Sequence, residues 1–293
     1  MRTPLLITLL LFFFTGCEKA IEFDLKETEP KLVVEATIEN DQPPVVILTN
    51  SVNYFSKITP DLLAKSFVHN AEIFVSNGTK NHKLKEYVIP DVNGYNLYYY
   101  SIDSSNLASS FLGRLNTSYS LRILQDGKEY TATTTVPNIT KKIDSVWWKK
   151  NAAAADTNQV IVMVKATDPK GFGDYIRYWT KRNNEPFLPG FNSAYDDLFV
   201  DGTTYELELD PGVDRNRDYD EGERFFKRGD TVTFKISNID KATFDFWRTM
   251  EYTYASVGNP FSSPIKVMSN VSNGALGYFG GYASQYHTLI IPK

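Results

Sequence analysis

Ser118-Tyr119-Ser120-Leu121-Arg122-Ile123-Leu124, followed by Asp126-Gly127 and then by Glu129-Tyr130-Thr131-Ala132-Thr133-Thr134-Thr135-Val136, decides the fold class. Tyr119, Leu121 and Ile123 alternate with Ser120 and Arg122, and a period of two puts one set on the buried face of a strand and the other in solvent. Asp-Gly tolerates the positive φ that a tight hairpin demands, so the two runs read as paired antiparallel strands.

The same pattern extends upstream. Leu32 to Ile38 and Val45 to Thr49 are rich in β-branched residues, with Asn40-Asp41-Gln42-Pro43-Pro44 as turn chemistry between them. Ala71 to Ser76 stops at Asn77-Gly78, Lys83 to Ile89 stops at Pro90, and Tyr95 to Ile102 completes the set. Seven strands with frequent turn signals predict a β-sandwich over residues 31–140, immunoglobulin-like or transthyretin-like. Strands are also expected at Ile143 to Lys149, Gln159 to Thr167, Asp174 to Lys181, Thr204 to Leu209, Thr231 to Ser237 and Thr288 to Ile291. One helix is expected near 241–257, with Asp240 as N-cap and Gly258 as the stop. The fold class is therefore mainly β: the sandwich, then a second β-rich domain over 141–293 with one α-helix.

Composition narrows the function. The chain has 293 residues, 31 Lys plus Arg against 35 Asp plus Glu, and a net charge of −4. Without a basic excess there is nothing to hold a phosphate backbone, so nucleic acid is not expected as a partner. A single Cys permits neither an intrachain disulfide nor a thiolate zinc cluster.

That Cys is informative through its position. Arg2 is followed by an apolar run from Leu5 to Phe14, about half the length of a membrane-spanning helix, and then by Thr15-Gly16-Cys17. Residues 1–16 read as a signal peptide. Phe14-Thr15-Gly16-Cys17 resembles the bacterial lipobox, which makes Cys17 the expected lipidation site and the outer membrane a partner through its lipid chains. Residues 17–30, with Glu18, Glu22, Asp24, Glu27 and Glu29, form an acidic tether.

Further segments carry a family resemblance. They are Cys17-Glu18-Lys19-Ala20-Ile21 with Asp24, Pro30 to Ala36, Gly127 to Ala132, Val136-Pro137, and Ile143-Asp144-Ser145-Val146. Asp168-Pro169 with Gly173-Asp174-Tyr175, Gly229-Asp230-Thr231-Val232, and the tail Asn259-Pro260-Phe261 with Asn273-Gly274 and Leu276 to Gly280 continue the series. In this order they resemble a lipoprotein family of the Bacteroidota known as domain of unknown function 4249. The resemblance implies surface exposure and a neighbouring TonB-dependent receptor. It implies no catalytic residue.

Two candidate sites remain. Asp214, Asn216, Asp218 and Asp220 alternate within an acidic loop, a spacing similar to oxygen-ligand Ca²⁺ loops. Tyr219 stands where an EF-hand needs Gly, and Phe225 where it needs Glu. The loop reads either as a Ca²⁺ site or as a solvated loop paired with its own Arg215 and Arg217. Of the aromatic clusters, Trp147, Trp148, Tyr278 and Phe279 are the candidates for a ligand- or partner-binding face, with core filling as the alternative for aromatics in general. Gly277, Gly280 and Gly281 are expected to permit tight turns beside them.

No H-E-x-x-H or G-x-S-x-G occurs, and His69, His82 and His287 are scattered. The expected function is non-catalytic: a lipid-anchored outer-membrane protein, facing outward, that assists a TonB-dependent receptor in ligand capture. The alternatives are a structural or adhesion lipoprotein, or a metal-dependent surface hydrolase.

Overall fold

The structure, a computed structural model, describes residues 29–53, 56–90, 95–215, 217, 221–259, 261–263 and 265–293. Cys17 and most of the expected tether lie outside the described residues, as do Asn216, Asp218 and Asp220.

All seven N-terminal strands form: β1 Leu32–Glu39, β2 Val45–Asn50, β3 Glu72–Ser76, β4 Asn81–Ile89, β5 Leu97–Ile102, β6 Thr117–Gln125 and β7 Lys128–Val136. A short helix, α1 Pro60–Ser66, follows β2, capped by the Thr59 hydroxyl. The second half contributes β8 Lys142–Lys150, β9 Gln159–Thr167, β10 Tyr175–Arg182, β11 Leu188–Tyr195, β12 Thr204–Leu209, β13 Phe226–Lys227, β14 Thr231–Ile239, α2 Lys241–Ser256 and β15 Leu276–Ile290. The protein is mainly β, as the alternation predicts.

The strands build one eleven-stranded path, β11-β10-β14-β15-β1-β2-β5-β4-β3-β6-β7, and a smaller sheet in which β8 lies on one side of β9, with β12 and β13 on the other. The long path folds over at β4. Asn81, His82 and Lys83 pair with β3, whereas Leu84 to Ile89 pair with β5. The β3-β6-β7 layer thereby covers the β15-β1-β2 layer, enclosing Val34, Ala36, Ile38, Val46, Leu48, Ile73, Leu121 and Ile123. Burial of each Val, Leu and Ile side chain among them stabilises the fold by about 1.5–3 kcal/mol.

The last strand closes this core. β15 runs parallel to β1, from Val33 opposite Leu276 to Glu39 opposite Tyr282, and antiparallel to β14 on its other side. The sheet therefore crosses the expected 140/141 boundary without interruption. Phe279 and Ala283 of β15 sit in the same core as Val34 and Ile38.

The glycines of β15 correct the expectation of tight turns. Gly277, Gly280 and Gly281 lie within a strand, and each meets a close neighbour. A Cβ on Gly281 would fall 2.3 Å from the Thr135 carbonyl oxygen of β7. One on Gly277, at φ +90°, would overlap the Val34 carbonyl of β1. The missing side chains allow backbones to approach across the sandwich and across the parallel pair.

Helix α2 matches its sequence signals. The Asp240 carboxylate accepts from Thr243 N at 2.8 Å, and Gly258 follows the C-cap at φ +81°. The other Asp240 oxygen accepts from Thr134 Oγ1 and Thr135 N of β7, so the cap also fixes where the helix begins over the sheet. The helix lays Phe246 and Trp247 on Tyr278 and stacks Phe244 on Tyr175 of β10. Val257, the C-cap residue, is exposed because the helix has already ended there.

Candidate functional site

Strand periodicity constructs the site. In β1, Leu32, Val34, Ala36 and Ile38 point into the core, which turns Glu35, Thr37 and Glu39 to the opposite face. Register carries that face across the neighbours: Glu35 lies opposite Tyr278, Glu39 opposite Tyr282, Tyr286 opposite Lys235, and Lys235 opposite Trp179. Arg177, two residues before Trp179, shares the face. Four strands with no local sequence relation thus display one patch, and α2 with the segment after β12 walls it into an open cleft of about 490 Å³.

Arg177 is the centre of the cleft and is only 4% exposed. Its guanidinium lies 3.3 Å from the ring centroid of Trp247 and 4.7 Å from that of Trp179, in cation–π geometry. Nε donates to Ser193 Oγ at 3.0 Å, and Ser193 in turn donates from its hydroxyl and backbone N to the buried Glu251 carboxylate of α2. Glu251 thereby supplies counter-charge through Ser193 and fixes the guanidinium. The β10–β11 pairing shifts register between Arg177 and Trp179, a bulge that sets these two side chains relative to β11.

The carboxylates of β1 have separate roles. Glu39 pairs with Lys235 Nζ and accepts from Tyr286 Oη at 2.6 Å. Glu35 remains accessible to water yet is crowded by protein on the cleft floor. Desolvation raises its pKa above the usual carboxylate value, against the opposing pull of Arg177. The Tyr278 and Tyr282 hydroxyls lie 3.1 Å apart, and Trp247 Nε1 donates to Tyr282 Oη at 2.9 Å. At the rim, Arg215 donates to the carbonyls of Gly190 and Phe191 and stacks 5.2 Å from the ring of Tyr254, which is 52% exposed. A second compartment of about 470 Å³ continues under α2, sharing Glu35, Trp247, Tyr254 and Tyr278 and adding the apolar Val33, Phe246 and Met250.

The structure separates the four expected aromatics. Tyr278 is buried, yet it lines both compartments. Phe279 is corrected from a binding residue to a core residue: it is 0% exposed, because it follows Tyr278 directly along β15 and successive strand residues face opposite sides. Trp148 packs on the core beneath the β9 sheet, with Arg228 over its ring, and half-buried Trp147 is not among the residues lining the cleft. Of the acidic-loop candidates, Asp214 lies on the cleft rim and pairs with Arg217, whose guanidinium also meets Glu223 at 2.8 Å.

Sequence reading did not single out Glu35, Arg177, Lys235 or Tyr254. A usable signal existed in β1, where Glu35 and Glu39 interrupt an apolar strand at alternate positions. Arg177 carried the same signal inside Tyr175-Ile176-Arg177-Tyr178-Trp179.

Together the fold and site define a layered β protein with an aromatic, charge-balanced cleft on one sheet face. The chain belongs to the family described as Domain of unknown function (DUF4249), which matches residues 18–288. No curated protein matches the chain.

Proposed function

We propose that the cleft is a capture site for a polar ligand of low net charge, a short neutral oligosaccharide, in a non-catalytic lipoprotein. The observation that carries this reading is Trp179, Trp247 and Tyr254 gathered around Glu35 and Arg177 at one mouth. Aromatic faces stack on the apolar faces of sugar rings, and fixed carboxylate and guanidinium groups serve their hydroxyls. Three cations, Arg177, Arg215 and Lys235, stand against three anions, Glu35, Glu39 and Asp214, so the lining favours neither a polyanion nor a polycation. A volume near 490 Å³ falls within the range of small-molecule sites.

In this reading Cys17 anchors the protein to the outer membrane, the acidic tether lets it face the exterior, and a TonB-dependent receptor takes up the captured ligand. The Thr15-Gly16-Cys17 motif supports the anchor, and the family resemblance supports the partner. Two of the chain's four tryptophans line the cleft. Titrating a pool of neutral oligosaccharides is therefore expected to change intrinsic tryptophan fluorescence saturably. A flat response, with a saturable one to a peptide pool, would replace sugar by peptide as the ligand. Tagged protein drawn from native membranes in mild detergent is expected to bring a β-barrel receptor with it. Recovery of the lipoprotein alone would leave capture without the transport link and favour an adhesion role.

A further inference from the structure

Three strand ends meet at a corner of the molecule whose residues do not line the cleft. Asp168 follows β9, Asp174 precedes β10 and Asp197 follows β11, and one carboxylate oxygen from each lies within 4.8 Å of the others. We propose that Asp168, Asp174 and Asp197 form a binding site for a divalent cation, Ca²⁺ by its ligand chemistry, which ties the 168–174 loop to the 196–201 loop.

Asp168 supplies an observation beyond acidic clustering. Its side chain is 0% exposed, Lys141 Nζ lies 2.8 Å from Oδ1, and yet neither oxygen accepts a well-directed hydrogen bond among the described residues. Buried carboxylates ordinarily find donors, so a fully buried carboxylate without a well-directed donor, set beside two further carboxylates, calls for positive charge beyond that of Lys141. The charge count agrees. Three carboxylates against the single Lys141 ammonium leave −2, the charge that one divalent ion removes.

The other two ligands are held in place from behind. Asp197 Oδ2 accepts from Gly173 N at 2.9 Å and Asp174 N at 3.1 Å, while Asp174 Oδ1 accepts from Thr140 Oγ1 at 2.7 Å. Thr140 is itself fixed by Asn238. Such supporting contacts orient ligands before an ion arrives. Ca²⁺ takes about six to eight oxygen ligands in flexible geometry, whereas Mg²⁺ keeps several waters and is usually held by one or two carboxylates, so three converging protein carboxylates suit Ca²⁺.

The experiment is calorimetric titration of the full mature protein, stripped with EDTA, with Ca²⁺ alone, alongside thermal unfolding in EDTA and in Ca²⁺. One saturable site and a Tm higher by several degrees in Ca²⁺ are expected. Asp174→Asn, at a partly exposed position that keeps its bond from Thr140, is expected to fold and to bind at least about tenfold more weakly. Asp218→Asn is expected to bind like the parent. The proposal is overturned by absence of heat and of any Tm change at about 5 mM Ca²⁺. It is equally overturned if Asp218→Asn loses the ion while Asp174→Asn keeps it, which would assign the ion to the acidic loop. Mg²⁺ binding as tightly as Ca²⁺ would contradict the choice of ion.

Discussion

Phe279→Ala is expected to lower the stability of the protein by about 3–5 kcal/mol, the cost of emptying a well-packed aromatic site. The ring is wholly buried and packs in the core that β1, β2, β3 and β6 share. Its backbone cannot shift freely to fill the void. Asn270 accepts from Phe279 N at 2.9 Å and donates to its carbonyl at 2.8 Å, and the same amide donates to Thr133 of β7. Denaturant unfolding measures the loss directly. A change below about 1 kcal/mol would place the ring at a surface and revive its reading as a binding residue.

Gly281→Ala is expected to destabilise by about 3 kcal/mol or more, at the upper end of overpacking costs. The added methyl would meet Thr135 O at 2.3 Å, Thr135 C at 2.5 Å and Val136 N at 2.7 Å. All three atoms are backbone of β7, so no rotamer change relieves the contact. Gly274→Ala supplies the comparison, because that residue has φ +73° but open space around it, and only the conformational penalty of about 1 kcal/mol applies. Equal losses at the two positions would show that β15 and β7 do not approach as described.

These two residues also mark where sequence reading ended. Tyr119, Leu121 and Ile123 announce their strand because alternation is local, and Asp240 with Gly258 announces a helix because caps are local. The parallel pairing of β1 with β15 joins residues more than two hundred positions apart, and neither strand encodes it alone. Gly277, Gly280 and Gly281 looked like turns because glycine supplies turns so often. Here the cause is tertiary, the absence of a side chain where two backbones meet. β11 escaped notice for a related reason, since Pro189-Gly190 reads as turn chemistry, yet it pairs with β10 around a bulge. The aromatic clusters at 175–179 and 278–282 were legible as clusters. Which members face the cleft depends on parity within strands whose limits the sequence does not mark, so the sequence does not separate Phe279 from Tyr278 and Tyr282.

The reading of the cleft as a capture site rests on the joint presence of stacking faces and fixed charges, and calorimetry with neutral oligosaccharides tests it most directly. Tyr254→Ala is the informative variant, because Tyr254 is half exposed at the mouth and its loss leaves the core intact, whereas Trp247→Ala also removes packing on Tyr278. Saturable heat is expected for the parent protein, with an affinity at least tenfold lower for Tyr254→Ala, corresponding to about 1.4 kcal/mol, and a larger loss for Trp247→Ala. Absence of heat in the parent protein across neutral oligosaccharides, or binding unchanged in both variants, would contradict it.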